Sequence, residues 1–355
     1  MQALRLHGPG DLRVESVPEP DGLGPNQVLL SNRYAGICGT DLHEYQDGPM
    51  LATTSPHALT GAKLPQILGH EFSGEVLAVG AEVTSVKPGD RVAVMPLFWC
   101  RRCVSCLAGR PQVCERLAAV GLNWPWGGMG EQAVVAEHQV AVLPPGVTDE
   151  QGAMVEPSAV AVHSVTSAGV KLGDTVLVTG GGPIGQLVIL AALAAGAGVV
   201  YLSEPNERRR RRADALGAVE LLDPAEIDVP AFLHQACGGG VDVAIECAGN
   251  ARAVQACLAA LRPGGTLMQT GLHVRPAELD LRSMTLRDIN VRGANCFPVT
   301  SWPRVIRLIA SGALPVERVV TNQIPLADAV SAGFDALLDP QSDEIKILLE
   351  VAGSR

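Results

Sequence analysis

The sequence predicts an α/β protein in two parts, a β-rich N-terminal domain and a doubly wound parallel sheet, and three observations carry that prediction. At 355 residues the chain is about twice the length of a typical single domain. Its texture changes along its length: short alternating apolar runs broken by turn residues fill the first 153 positions, and from about residue 173 strands alternate with helical segments. A glycine-rich turn, Gly180-Gly181-Gly182-Pro183-Ile184-Gly185, falls at one strand-to-helix junction, where doubly wound sheets carry such turns.

Taken in order, the strands expected in the first part include 27–30, 74–80 and 89–94, each an alternating or apolar run bounded by turn residues. Helical period is scarce there. The second part opens with 174–179, a short apolar run suited to a buried parallel strand. The apolar, alanine-rich stretch 184–195 suits a buried helix, followed by strand 199–203 and helix 206–216. Strand 241–247, helix 251–261 and strand 266–270 continue the alternation, which predicts a parallel sheet covered on both faces. A helix at 301–310 and an apolar strand at 346–351 close the chain. The expected division is 1–153, 154–296, and a 297–355 segment that returns to the first domain.

With 47% hydrophobic residues and 39 glycines the chain can bury cores and pack α/β units closely, while a net charge of −10 argues against nucleic acid or an anionic membrane as partner. The basic run 208–212 reads as a solvated helix face. The first residues hold no apolar stretch of signal length, and the longest apolar run, 187–202, is short and broken by Gly196 and Gly198. A cytoplasmic protein is expected. Of nine cysteines, five fall in two candidate metal clusters; Cys237, Cys247, Cys257 and Cys296 lie in apolar surroundings and read as small buried hydrophobes.

Cys100, Cys103, Cys106 and Cys114 follow a C-x2-C-x2-C-x7-C spacing. Four thiolates so close can wrap a tetrahedral zinc and leave no position open, which marks a structural site rather than a disulfide ladder. A second donor set is gathered from separated segments: Cys38, His70, Glu71 and Glu156. One sulfur, one imidazole and a carboxylate suit a catalytic zinc with a vacancy, and the sequence leaves open whether Glu71 or Glu156 is the ligand. Such an ion lowers the pKa of a bound alcohol and so prepares hydride loss to a nicotinamide. Thr40 and His43, close after Cys38, are candidates to carry the proton outward, and Asp41 to orient His70.

In the glycine turn, Gly180 and Gly182 permit a tight turn and close approach to a pyrophosphate, Gly185 permits close helix–strand packing, and Pro183 and Ile184 open the helix whose N-terminus faces the phosphates. Glu204, nineteen residues beyond Gly185, suits the ribose hydroxyls and repels a 2′-phosphate, which favours NAD. Arg208 and Arg209 leave a route to NADP, or pack over adenosine.

Taken together these residues resemble the medium-chain zinc-dependent alcohol dehydrogenases over essentially the whole chain. The stretches Cys38-Gly39-Thr40-Asp41-Leu42-His43-Glu44-Tyr45, Leu68-Gly69-His70-Glu71-Phe72-Ser73-Gly74, Val155-Glu156-Pro157 and Ser203-Glu204-Pro205 are similar to the 2,3-butanediol dehydrogenase branch, near the sorbitol and threonine dehydrogenases. The resemblance implies a GroES-like β-rich catalytic domain plus a Rossmann cofactor domain, with the active site in the cleft between two lobes. It also implies one catalytic and one structural zinc, NAD as cofactor, and a homodimer or homotetramer associating through the cofactor domain. The implied substrates are vicinal diols and hydroxyketones of the butanediol/acetoin type, or bulkier secondary alcohols; a polyol or threonine dehydrogenase is the alternative, and a non-catalytic zinc module is disfavoured. Ser158, Val162 and the 296–300 stretch depart from the branch's usual residues. Tyr45, Phe98, Trp126 and Phe297 are candidates for an apolar substrate wall.

Overall fold

The computed structural model describes residues 1–217 and 219–352; the last three positions of the expected 297–355 segment lie outside the described residues. The chain forms two compact units, one of Met1–Glu156, Pro298–Ser311 and Val320–Arg355, the other of Pro157–Phe297 and Gly312–Val319. The first boundary falls inside one helix, Val155–Ala168.

The first unit is built around strand Gln27–Gly36, which pairs antiparallel with Glu71–Val79, Gln132–Ala136 and the late strand Ile347–Glu350. Arg91–Val94 and Val140–Val142 extend the sheet on one side, and Asn322–Pro325 lies parallel to Ile347–Glu350 on the other. Alternation along Gln27–Gly36 turns Val28, Leu30 and Asn32 inward. Leu30, Phe72, Val76, Val92, Phe334 and Leu349 share the core below. Asn32 occupies an inward apolar position because its amide donates to the carbonyls of Gly127 (3.1 Å) and Gly130 (2.6 Å) and so fixes that loop.

The second unit holds a six-stranded sheet in the order Val219–Leu222, Val199–Ser203, Thr175–Thr179, Val241–Glu246, Leu261–Gln269, Asn290–Gly293, with every pair parallel. The alternation of strands and helices predicts a parallel sheet and its four inner strands; the two edge strands, Val219–Leu222 and Asn290–Gly293, lie outside that expectation. Strand order reverses beside Thr175–Thr179, which leaves a crevice at the carboxyl ends of that strand and its neighbour Val241–Glu246. Helix Pro183–Ala194 is buried over most of its surface, as its apolar character requires.

Two further differences have physical reasons. The strand expected at 266–270 begins at Leu261, with a register shift against Val241–Glu246 between Leu261 and Thr266. Helix Gly39–Gln46 was not expected, because the side chains it buries are Asp41 and Glu44, so it has no apolar period to read. No helix among the described residues is long and apolar enough to cross a membrane.

Candidate metal and dinucleotide sites

Cys38 lies two residues beyond strand Gln27–Gly36 and caps helix Gly39–Gln46; its backbone N–H donates to Asp41 Oδ2 at 2.9 Å. His70 and Glu71 open the neighbouring strand Glu71–Val79, which pairs Gly36 with Glu71. Sheet register therefore brings the three together, and one ligand atom from each of Cys38, His70 and Glu71 lies within 4.8 Å of the others. Glu156 is not in that group, although it is buried and feels the charges of His70 and Glu71. Of the two carboxylates the sequence leaves open, Glu71 is the one drawn into the cluster.

His70 and Glu71 are buried and Cys38 is half-buried. Asp41 is fully buried, its Oδ1 lies 3.6 Å from His70 Nδ1, and neither atom has a hydrogen-bond partner. Since Nδ1 faces Asp41, Nε2 is the ring nitrogen left for an ion. Burial pushes the Cys38 thiol up, with Glu71 adding to it. Burial alone would lower His70, but Asp41 and Cys38 overcome it and hold the imidazole well above its ordinary value. Burial also pushes Glu156 up to about 8. Each shift is what a divalent cation among these donors would relieve, so the residues fit a zinc with one sulfur, one nitrogen and one oxygen ligand.

Lys346 is the residue the sequence reading missed. It is 1% exposed, its Nζ donates to Ile37 O at 2.9 Å and forms an ion pair with Glu71 Oε2. Burial would lower the ammonium, yet the Glu71 and Cys38 charges leave it raised. A Cβ on Gly36 would lie 2.3 Å from Glu71 Oε2 and 2.9 Å from Lys346 Nζ, so only glycine leaves room for this pair. The available signal was a lysine flanked by Ile345 and Ile347 in an apolar run.

Thr40 stands in the first turn of the helix and is half-buried; the His43 side chain is 41% exposed, with Nδ1 3.5 Å from Asp47 Oδ2. Tyr45 packs edge-on against Phe334 at 5.8 Å, and Phe98 against Trp124 at 4.5 Å. Phe297 is fully buried. Ser158 is fully buried and its hydroxyl has no hydrogen-bond partner.

The four-cysteine loop folds as its spacing suggests. Cys103 precedes the short helix Val104–Leu107 that carries Cys106, and the turn Pro111–Val113 delivers Cys114. The Sγ atoms of Cys103 and Cys106 are 3.4 Å apart, Cys103 and Cys114 3.8 Å, and Cys100 and Cys106 4.0 Å. Sulfurs at zinc-bonding distance on a tetrahedron stand about 3.8 Å apart, so the loop fits the ion with little movement. None of the nine cysteines is joined in a disulfide. Backbone N–H groups, Cys106's first, lower Cys103 to about 6, while burial and the neighbouring thiols push Cys106 up to about 12. N–H groups of Cys100 and Arg116 donate to Cys114 Sγ, each at 3.3 Å.

In the second unit Gly180 follows strand Thr175–Thr179 with φ of 92°, and Gly182 caps helix Pro183–Ala194 with Pro183 at its first position. A Cβ on Gly185 would lie 1.8 Å from Gly180 O, whereas one on Gly182 would meet nothing within 4 Å. Gly185 thus serves close packing and Gly182 faces open space, which fits a pyrophosphate against the N–H groups of the helix start. Ile184 is half-buried in that first turn. Glu204 Oε2 accepts from Gly181 N–H at 2.6 Å and Oε1 from Asn206 N–H at 2.8 Å, which leaves each oxygen a further lone pair for a ribose hydroxyl. The Cβ of Arg209 lies 3.3 Å from a Cβ built on Gly181, beside the turn. Arg210 is structural: it donates to the carbonyls of Glu204 and Pro205 and pairs with Asp223 at 2.7 Å.

Comparisons with known proteins agree with this geometry. Residues 24–145 match the alcohol dehydrogenase GroES-like domain and residues 183–311 the zinc-binding dehydrogenase domain. The chain is 37% identical over 351 residues to (R,R)-butanediol dehydrogenase of Bacillus subtilis (strain 168), covering 98% of this chain and 99% of the relative. The crystal structure of 2R,3R-butanediol dehydrogenase from Bacillus subtilis superposes with a TM-score of 0.93 at 35% identity, covering 99% of both chains. Sorbitol dehydrogenase of Gallus gallus is 33% identical, covering 98% of this chain and 96% of the relative. A zinc-binding dehydrogenase of Sinorhizobium meliloti 1021, solved bound to NADP, matches with a TM-score of 0.86 at 33% identity, covering 98% of each chain. Donor sets, glycine turn and full-length likeness agree, and we conclude that the chain belongs to the zinc-dependent alcohol dehydrogenase family, as an oxidoreductase acting on CH–OH donors with zinc and a nicotinamide cofactor.

Proposed function

We propose that this protein interconverts a vicinal diol and its hydroxyketone, of the butanediol/acetoin type, with NAD(H), and accepts bulkier secondary alcohols as well. The observation that carries the reading is the gathering of Cys38, His70 and Glu71 within ligand reach of one another, beside the buried Asp41 whose Oδ1, like His70 Nδ1, has no hydrogen-bond partner. These three residues would hold the catalytic zinc, with Glu156 behind them; Cys100, Cys103, Cys106 and Cys114 would hold the structural one. When bound, the catalytic ion supplies Lewis acidity toward the alcohol oxygen. Asp41 keeps the His70 ring turned and its Nδ1 protonated. Thr40 would accept the alcohol proton as it passes its own hydroxyl proton outward, and His43, in the last turn of the same helix and 41% exposed, would take up that proton and release it to solvent. Gly180, Gly182, Pro183, Ile184 and Gly185 seat the pyrophosphate, and Glu204 accepts the adenosine ribose hydroxyls. A 2′-phosphate there would meet the Glu204 carboxylate, which favours NAD over NADP, and Arg209 packs over adenosine.

The fully exposed edge strand Asn290–Gly293 supports association of two copies through the cofactor unit. Free thiols throughout support the cytoplasm as its compartment. The full-length likeness to a sorbitol dehydrogenase favours a second reading, oxidation of a polyol. A spectrophotometric panel of vicinal diols, hydroxyketones, larger secondary alcohols and polyols, run with NAD(H) and NADP(H) in parallel, separates the readings. We expect the highest kcat/KM for a vicinal diol or hydroxyketone with NAD(H). Turnover confined to polyols would overturn the substrate class, and preference for NADP(H) would overturn the role given to Glu204.

A further inference from the structure

A second buried acid lies outside the metal cluster and has no part in the chemistry above. Glu246 ends strand Val241–Glu246, is fully buried, and sits opposite Thr179, the last strand residue before the glycine turn. Its Oε1 accepts from the N–H groups of Ala248 (2.7 Å) and Gly249 (2.8 Å). Its Oε2 accepts from Gln269 Nε2 (2.5 Å) and stands 3.4 Å from His273 Nε2. Its backbone carbonyl accepts from the N–H groups of Thr270 (3.0 Å) and Gly271 (2.8 Å). One residue therefore ties together the loops that leave two adjacent strands at their carboxyl ends.

The first of those loops also touches the glycine turn, and the second packs on the first. A Cβ on Gly180 would lie 2.9 Å from Ala248 N, and one on Gly271 would lie 2.5 Å from Gly249 N and 2.7 Å from Glu246 Oε2. The backbones are as close as glycine permits, and the carboxylate is the fastener between them. Strand pairing alone does not require an anion here, since the ladder from Val241 to Glu246 is made by backbone groups. No lysine or arginine pairs with Glu246 among the described residues, so its desolvation is offset by N–H donors and, at the rim, by His273. A buried, fully hydrogen-bonded anion holds its donors within a few tenths of an ångström, which a packing residue does not do.

We propose that Glu246 is a positioning residue for the dinucleotide: it ties the 269–273 loop to the 247–250 loop, which lies against the glycine turn, so that the crevice at the strand ends is preformed for the cofactor. This rests on the dinucleotide reading above. The test is a fluorescence titration of NADH into zinc-loaded protein, for wild type, Glu246→Gln and Gly271→Ala, with melting temperature, zinc content and steady-state constants measured alongside. Glu246→Gln keeps the shape but turns an N–H₂ toward Gln269 or the loop amides. We expect the NADH Kd to rise about 10-fold or more, the loss of one charged hydrogen-bond set. The KM for the coenzyme should rise with it, while the KM for the alcohol and the zinc content stay put. Gly271→Ala, which leaves the acid in place but wedges the loops apart, should act in the same direction. Should Glu246→Gln not fold, His273→Asn with Gly271→Ala carries the test. Unchanged coenzyme affinity in the folded variants overturns the inference alone; a wild type that binds no dinucleotide overturns the inference and the cofactor reading together.

Discussion

Replacing Lys346 by methionine would leave Glu71 as a buried acid without its cation. Removal of one partner from a buried ion pair costs about 3–5 kcal/mol, so Lys346→Met should lower the urea midpoint strongly in zinc-free protein, and zinc should restore part of the loss. Cys38→Ser should abolish turnover, read as NADH production, while leaving far-ultraviolet circular dichroism and coenzyme binding intact. Legibility at this scale follows distance along the chain. Cys38, His70 and Glu71 were readable because sulfur, imidazole and carboxylate seldom gather for any purpose but an ion. Lys346 was not, because its partner lies 275 residues earlier and one lysine in an apolar run has no spacing to read.

At the scale of elements, Asp242 stitches the first two central strands of the parallel sheet. Its Oδ2 accepts from the N–H and hydroxyl of Thr175, at 2.8 and 2.7 Å, and its Oδ1 pairs with Arg262 at 2.6 Å. Burial would raise this carboxyl, but the Thr175 donors and Arg262 outweigh it and hold the acid below its ordinary value. A depressed folded pKa gives stability that is present above the unfolded value and lost as pH falls through the folded one. Asp242→Asn should therefore cost about 1–2 kcal/mol at pH 7, and its difference from wild type should shrink as urea titrations are repeated below about pH 4. The cysteine loop is an element of another kind, held by its ion rather than by a core. Cys103→Ser should lose one zinc and lower the melting temperature while the second zinc remains; retention of both metal and stability would contradict the division into two sites. The parallel sheet was legible because apolar strands and helices alternate between turn residues. Helix Gly39–Gln46 was not, although it carries Thr40 and His43, because it buries acids where the apolar period would be. Glu44 is spent there on the N–H groups of Met50 (3.0 Å), Leu51 (2.5 Å) and Ala52 (3.3 Å).

For the molecule as a whole, charge and metal content are the useful observables. A net charge of −10 disfavours non-specific attraction to polyanions, and a sulfur-rich donor set makes the zinc count informative. Metal analysis should return about two zinc ions per chain. Val291→Lys, placed on the exposed edge strand Asn290–Gly293, should shift the protein to monomer in light scattering while each chain keeps its zinc.

The ion pair between Glu71 and Lys346 has a consequence for the order of biogenesis. On the ribosome the thiol, imidazole and acid emerge together, and the balancing ammonium follows 275 residues after Glu71, a lag of roughly 15 to 55 s at ordinary elongation speeds. Through that interval Glu71 lacks the ammonium that it meets in the folded unit, and the strand that Lys346 leads into, Ile347–Glu350, is the last of its sheet to emerge.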